Sequence, residues 1–480
     1  MNLSSLSEKK SRLRTVLALF IRRRGPGDEP LNRSHERYRL AAMSGVTALA
    51  VRAISFIVTV LTVRLTFRYL GAERYGMWMT ITSVVAMFGF ADLGMSNGLI
   101  NMVAEAIGRE RQDQARHAIS SAFWILTITS SALFMCGLAA YPFLDVAWIF
   151  NVTSPRAVQE AGPALGIFAL CFILQLPLGA VRGAQSGLQK GYVNNIWAAC
   201  GALLSLAGMI FAIHFRLGLP ELVLCISGPP LLMLVLNGVV LFYRSHPELR
   251  PRLNEFSRAT AAEALHTGLM YFILQLAITI GVQTDNIVIA QILGAKAVAA
   301  YAVPARMFAL VTSFLVMLSG VILPAYADAF SRQDGAWIKR TFFRVSIFGT
   351  IIALCAAVVL FVWGNRILTI WVGPNVQASS SLLLSFAALS VIYAYLQPIN
   401  FLMNGIRRFR VPVICAIANA VLNLGLSILF VKHLGIIGAV LGTLTATVLV
   451  QVVPLTIETQ KILKELVLKQ MPRIENAIIS

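Results

Sequence analysis

Long apolar runs without a charged residue recur along the whole chain. Residues 118–144, 222–243 and 345–364 are three of them. A helix rises 1.5 Å per residue, so about 20 such residues cross the ~30 Å hydrocarbon core of a bilayer. The chain is 58% hydrophobic and only 13% charged, whereas about a quarter of the residues in soluble domains are charged. We therefore predict an all-α polytopic membrane protein.

The spacing of the charged residues divides the chain into about twelve predicted transmembrane helices. The predicted spans are 41–66, 76–103, 118–142, 161–181, 191–213, 221–243, 265–294, 297–325, 345–364, 380–404, 411–431 and 434–456. The predicted units are a basic cytoplasmic tail (1–40), an N-lobe of six helices (41–243), a cytoplasmic linker (244–264), a C-lobe of six helices (265–456) and a cytoplasmic C-terminal tail (457–480).

The net charge of +19 is distributed unevenly across this topology. Of the 40 Lys and Arg residues, 30 fall on the side of both termini, including Arg182 and Lys190 in the loop after helix 4; 8 fall on the other side and 2 within spans. Such an excess marks cytoplasmic loops, so both termini are predicted to be cytoplasmic. A nucleic-acid-binding domain would concentrate its basic residues on one soluble unit, and no predicted loop is long enough for one. We expect no nucleic-acid partner.

The two predicted halves repeat one another in sequence. The segments Leu70–Glu73, Arg109–Glu110 and Gly187–Lys190 of the first half align with Leu293–Lys296, Arg332–Gln333 and Gly405–Arg408 of the second. An even number of helices separates the copies, so both halves enter the membrane from the same side as parallel repeats. In transporters, this arrangement places the substrate site between the halves. A duplication kept only for packing is the alternative.

Six short motifs carry a family resemblance: Tyr69–Trp78, Phe90–Met95, Ala104–Ala106, Asp285–Ile289, Leu293–Ala295 and Ala300–Tyr301. Together they resemble polysaccharide-transport (Wzx-type) flippases of the multidrug/oligosaccharidyl-lipid/polysaccharide exporter (MOP) superfamily, over residues 41–456. The resemblance implies a MATE-like fold of two six-helix lobes related by a pseudo-two-fold axis.

The same resemblance implies that the chain is an alternating-access flippase. Such a protein carries undecaprenyl-pyrophosphate-linked oligosaccharide across the bacterial inner membrane, for O-antigen, capsule or exopolysaccharide synthesis. The expected partners are that lipid-linked oligosaccharide, membrane lipids, a polysaccharide polymerase and chain-length machinery. A lipid II flippase would usually carry two further C-terminal helices. A cation-coupled multidrug exporter of the superfamily, the main alternative, often has an acid in helix 1, where this chain has Arg52.

Four ionisable residues stand out deep within the predicted spans, where a charge is costly and a functional role is the default interpretation. Arg52 and Asp92 lie about 21 and 24 Å from the outer ends of helices 1 and 2, and Asp285 and Arg306 lie each about 14 Å below the outer surface. Each half therefore offers a potential Arg–Asp pair. Our hypothesis is that both arginines face a central cavity and attract pyrophosphate or an acidic sugar. Two structural ion pairs are the alternative.

Two further roles are open for residues within the spans. Gln275 is a candidate for binding sugar hydroxyls, although helix packing is the favoured role for such amides. Asp285 is a candidate proton or cation relay, because a carboxyl group in a low-dielectric cavity is readily protonated. A neighbouring Arg306 argues against that relay.

A membrane-embedded polysaccharide polymerase or glycosyltransferase is the competing class of protein. Such enzymes generally need a sizeable aqueous loop, whereas the external connections here, near 143–160 and 365–379, are short. No Asp-x-Asp, Walker, His-Glu-x-x-His or Gly-x-Ser-x-Gly motif occurs in the chain. The six cysteines lie within apolar runs and form no CxxC pair. We expect no catalytic residue, no cofactor and no metal site.

Overall fold

The computed structural model describes residues 29–317, 319–374, 376–406, 408 and 410–468. The basic run Arg22–Arg24 and Lys469 lie outside the described residues. The helices are α1 (Glu29–Met87), α2 (Met95–Gly108), α3 (Gln112–Ala140), α4 (Val146–Ile149), α5 (Pro155–Gln175), α6 (Gly179–Gly187), α7 (Gly191–His214), α8 (Leu219–Val239), α9 (Arg258–Leu293), α10 (Ala295–Met317), α11 (Ser319–Ser331), α12 (Gly335–Trp371), α13 (Ser380–Gly405), α14 (Arg410–Leu434), α15 (Ile436–Thr447) and α16 (Val453–Leu468).

Each predicted span falls on one helix or on two helices separated by a short interruption. Ten segments of the described chain are long and apolar enough to cross a membrane. The first of them, Gly45–Asp92, has 48 residues and bends at Gly71, so it contains two predicted spans. The predicted span 265–294 lies in α9, in addition to these ten. The all-α architecture with about twelve spans is therefore confirmed.

Several spans are interrupted inside the bundle. After α1, a 3₁₀ turn (Phe88–Asp92) leads into Leu93 and Gly94, both left-handed with φ of 54° and 69°. Between α5 and α6 the chain turns at Leu176–Leu178, because Pro177 has no N–H to donate and its ring clashes with the preceding turn. Helix interruptions within a membrane are tolerated where protein or a water-filled cavity satisfies the backbone. Both interruptions border the cavity described below.

The duplication is visible in the backbone as well as in the sequence. Gly71 has φ 73° and ψ 177°, and its counterpart Gly294 has φ 88° and ψ 165°. Glu110 and its counterpart Gln333 have φ of 59° and 60°. Positive φ is sterically costly for residues with a Cβ. The same rare conformation at matched positions confirms that the lobes are structural repeats.

The bundle has two ends. We call the end with the turns at 109–111, 188–190, 246–257 and 332–334 the basic face, and the end with the turns at 141–154, 215–218 and 372–379 the opposite face.

The two lobes pack together toward the opposite face. Gly76 of α1 lies so close to the backbone of Ala295 that no Cβ could fit between them. Arg68 Nε donates to the Val372 carbonyl at 3.0 Å, and Trp371 Nε1 donates to the Val60 carbonyl at 2.8 Å. The largest buried apolar cluster also joins both lobes here. Within the described chain, the hydrogen bonds between helices of the two lobes all lie toward this end. We call these hydrogen bonds, together with the Gly76–Ala295 contact, the inter-lobe seal.

Helix α9 is attached to both lobes. The linker before it is fastened to α3, because Ser257 N donates to Ser121 Oγ at 3.1 Å and Arg116 pairs with Glu255 at 3.3 Å. The first half of α9 lies against the N-lobe, where the Phe272 and Phe90 rings are 6.0 Å apart. Its second half packs against α14 and α10 of the C-lobe. Residues 258–264 of the predicted linker form the first turns of this helix.

Candidate functional site

A cavity of about 410 Å³ lies between the interrupted helices of the N-lobe and the first half of α9, from which Phe272 and Gln275 line it. We call it the inter-lobe cavity. Its polar lining consists of Asp92, Ser96, Gln175, Arg182, Ser186 and Gln275, and its aromatic lining of Phe90, Phe172 and Phe272. A volume of ~300–1,000 Å³ with a few converging polar groups is typical of a ligand site.

Asp92 is held at the start of α2. Its carboxylate accepts hydrogen bonds from Ser96 Oγ at 2.9 Å and from Ser96 N at 3.3 Å. The left-handed turn at Leu93 and Gly94 directs the carboxylate back over the first turn of α2. A carboxylate here is stabilised by the free N–H groups at a helix N-terminus. Gly179, at the start of α6, permits this packing, since a Cβ there would lie 3.0 Å from Ser96 Oγ.

Arg182 is the residue that sequence reasoning missed. It was counted among the basic residues of the loop after helix 4, but the structure places it in α6, where it lines the inter-lobe cavity. It interacts electrostatically with Asp92, yet in the described part of the chain the two side chains form no direct ion pair. Its guanidinium therefore remains available to a ligand. Pro177 was the available signal, because a proline there ends one helix and allows another to start inside the bundle.

The predicted Arg–Asp pairs are wrong. Asp92 is bonded to Ser96, and Asp285 to three hydroxyl groups. Arg52 and Arg306 are exposed, and no described residue forms an ion pair with either. Equal depth does not make a pair, because side chains at one level point in different directions around their helices.

Arg52 and Arg306 both lie on helix faces that lead into the inter-lobe seal. Arg52 is 11 residues before the buried Val63 on one face of α1. Arg306 is seven residues after Ala299, which packs against Gly76. Neither lines the inter-lobe cavity, whereas Gln275 and Asp92 do. The structure thus unites two of the five predicted site residues in this cavity.

Asp285 lies in a separate polar cluster inside the C-lobe. It is only 4% exposed. Its carboxylate accepts hydrogen bonds from Tyr301 Oη at 2.9 Å, Ser427 Oγ at 3.0 Å and Thr443 Oγ1 at 2.8 Å. Asn423 Oδ1 lies 3.1 Å from Ser427 Oγ and 3.0 Å from Thr443 Oγ1. We call Asp285, Asn423, Ser427 and Thr443 the oxygen cage.

The two hydroxyl groups of the oxygen cage each face two acceptors. The Ser427 and Thr443 hydroxyls have one proton each, and both face the carboxylate as well as Asn423 Oδ1. Asn423 Nδ2 donates to the Gly281 carbonyl at 2.9 Å, which turns Oδ1 inward. A buried carboxylate without a cationic partner is costly. One more proton or a small hard cation, which oxygen ligands suit, would complete the cage.

Comparison with known proteins agrees with this architecture. The family model described as polysaccharide biosynthesis protein matches residues 42–330, and the MatE model matches residues 271–429. A Yersinia pseudotuberculosis protein named for O-antigen export is 22% identical over 83% of this chain and 91% of its own length. The uncharacterized membrane protein EpsK of Bacillus subtilis (strain 168) is 22% identical over 78% of this chain and 74% of its own.

A solved structure shares the fold. It shows the inward-facing conformation of a multidrug resistance MATE family transporter of the MOP superfamily, with a TM-score of 0.74 and 15% identity. The match covers 88% of this chain and 98% of that one. The chain therefore belongs to the polysaccharide biosynthesis protein family and has the two-lobed fold of the MOP-superfamily transporters.

Proposed function

We propose that this chain is an alternating-access flippase that carries undecaprenyl-pyrophosphate-linked oligosaccharide repeat units across the bacterial inner membrane for surface polysaccharide synthesis. The observation that carries the proposal is the inter-lobe cavity, which combines one free guanidinium, several hydrogen-bonding side chains and three aromatic rings. The Yersinia pseudotuberculosis relative, which is named for O-antigen export, supports the same class of substrate.

The chemistry of the cavity fits such a substrate. Arg182 offers paired N–H donors that match pyrophosphate oxygens and stay charged within the membrane. Asp92 holds this guanidinium electrostatically until the substrate competes for it. Gln175 and Gln275 offer donors and acceptors to sugar hydroxyls.

The inter-lobe seal fits an alternating-access cycle. We take the basic face as cytoplasmic because basic residues predominate there. The cavity is then sealed on the periplasmic side and accessible from the side where the lipid-linked unit is loaded. The seal contains few hydrogen bonds, each contributing a net ~0.5–1.5 kcal/mol. Rocking of the lobes can therefore break it and expose the cavity to the periplasm.

The oxygen cage supports ion coupling as an added component of this function. We propose that a proton or a monovalent cation occupies it during part of the cycle. Asp285 on α9, Asn423 and Ser427 on α14 and Thr443 on α15 would hold the ion. A neighbouring Arg306 would argue against this role, but Asp285 and Arg306 make no contact among the described residues.

Replacing Arg182 tests the proposed substrate role. Arg182→Ala in the chromosomal copy should reduce surface polysaccharide at least tenfold, and Arg182→Lys should restore it only in part, because lysine cannot bind pyrophosphate through two parallel N–H donors. Single repeat units should accumulate in the inner leaflet. Arg366→Ala, at an exposed arginine near the opposite face, is the matched control.

Two outcomes would contradict the proposal. Normal polysaccharide in both Arg182 variants, at wild-type protein levels, would remove this residue from transport. Single repeat units that accumulate on the periplasmic side in a deletion strain would identify the chain as a polymerase.

A further inference from the structure

A second cavity lies on the lipid-facing surface of the C-lobe. It has a volume of about 400 Å³ and is lined by residues between 342 and 351 of α12, by Tyr395 of α13, and by Thr456 and Gln460 of α16. Helices α12 and α16 form its sides and α13 forms its floor. The two sides touch near the basic face, where Gly335 packs on the backbone of Leu466. We call this cavity the α12–α16 groove.

The groove lies within the leaflet of the basic face. Its lining begins at Phe342, seven residues after the start of α12, and continues to Ile351. This length is about 14 Å at 1.5 Å per residue, roughly half of a ~30 Å hydrocarbon core. Phe343, Ile347 and Ile351 are 47%, 59% and 54% exposed. The groove is thus open sideways to the acyl chains of one leaflet.

A hydroxyl group without a partner lies inside this apolar groove. Ser346 Oγ is buried and has no hydrogen-bond partner among the described residues, whereas the nearby Tyr395 hydroxyl is paired with Thr456 Oγ1 at 2.9 Å. Buried polar groups are normally satisfied, so an acceptor is expected at this depth. The ester carbonyls of a glycerophospholipid lie where the headgroup meets the hydrocarbon, one or two helical turns deeper than the phosphate. A polyprenyl chain has no oxygen along its length.

Basic residues flank the end of the groove nearest the basic face. Lys339 precedes Phe343 and Ser346 by four and seven residues, so it shares their face of α12. Lys464 follows Gln460 by four residues on α16. Both lysines are exposed. Glu465 is the nearest acid along α16, and it is paired with Arg408 at 3.9 Å. The charge at this end of the groove favours an anionic headgroup.

We propose that the α12–α16 groove is a binding site for an anionic glycerophospholipid of the basic-face leaflet. The phosphate lies between Lys339 and Lys464. Ser346 Oγ donates to an ester carbonyl, and one acyl chain packs against Phe343, Ile347 and Ile351. The site is separate from the inter-lobe cavity and does not depend on what that cavity carries.

Native mass spectrometry of the full chain released from nanodiscs tests this site. In discs with equal amounts of phosphatidylglycerol and phosphatidylcholine, the wild type should retain phosphatidylglycerol preferentially. The double variant Lys339→Ala/Lys464→Ala should weaken that retention roughly 30-fold, as expected for two lysines at an anionic lipid surface. The control Arg366→Ala/Lys432→Ala removes two exposed basic residues near the opposite face and should change nothing.

Two further arms distinguish the source of the phosphate and the role of the hydroxyl. Undecaprenyl phosphate has a phosphate but no carboxylic ester carbonyl, so it should not displace phosphatidylglycerol. Ser346→Ala should weaken retention of both phospholipids several-fold. Equal retention of the two phospholipids by the wild type, unchanged retention in the double lysine variant, or displacement by undecaprenyl phosphate would each overturn the proposal. Unchanged melting temperatures of the variants confirm that they are folded.

Discussion

The tightest contact of the inter-lobe seal gives a quantitative prediction. Gly76 lies against the backbone of Ala295, and an added Cβ has no space unless the lobes separate. Overpacking of this kind costs roughly 1–3 kcal/mol. That cost applies only while the seal is closed, so Gly76→Ala should shift the equilibrium toward the state open at the opposite face by roughly 5- to 150-fold.

Double electron–electron resonance, which measures the distance between two spin labels, would detect this shift. Labels at Arg216→Cys in the N-lobe and Lys432→Cys in the C-lobe lie at exposed positions near the opposite face, in a background without the native cysteines. Gly76→Ala should increase the fraction of long distances. Gly137→Ala is the matched control, because it is also a helical glycine but has no atom within 4 Å of an added Cβ. Identical distance distributions for the two variants would refute a seal that closes on Gly76.

Two further substitutions follow from the polar clusters. Asp285→Asn should abolish the rise in melting temperature that sodium or added protons give the wild type. At 100 times the dissociation constant, binding of the ion stabilises the wild type by about 2.7 kcal/mol. A wild type that responds to neither ion would exclude the cage as an ion site. Gly179→Val should reduce repeat-unit transport in vesicles at least tenfold, since it displaces Ser96 and Asp92; full transport at normal expression would show that their placement is not needed.

The spans and the duplication were predictable because they depend on local composition. An apolar run long enough to cross the membrane forms a helix inside the bilayer, since no water is present there to satisfy the backbone. The repeat was readable because Gly71 and Gly294 occupy a conformation that favours glycine. These features need no knowledge of which helix lies beside which.

The site was only partly predictable because it depends on direction around each helix. Depth along a helix follows from counting residues, and Asp92 and Gln275 were found in this way. The partner of Asp92 could not be found, since Ser96 lies beyond a left-handed turn that breaks the predicted span. Arg182 was assigned to a loop because the predicted span 161–181 was ended at this charged residue. The three hydroxyl partners of Asp285 come from α10, α14 and α15, which only tertiary packing brings together.

The attachment of α9 to both lobes determines where a rocking motion can bend the molecule. The linker is fastened to α3, so it cannot act as a loose tether between two rigid bodies. If the lobes rock as proposed, the bend would fall within α9 itself, between Phe272 on the N-lobe side and Gly281 on the C-lobe side. The Gly281 carbonyl is the acceptor that orients Asn423 in the oxygen cage. Filling or emptying that cage would therefore act on the backbone of α9 through one side chain, Asn423.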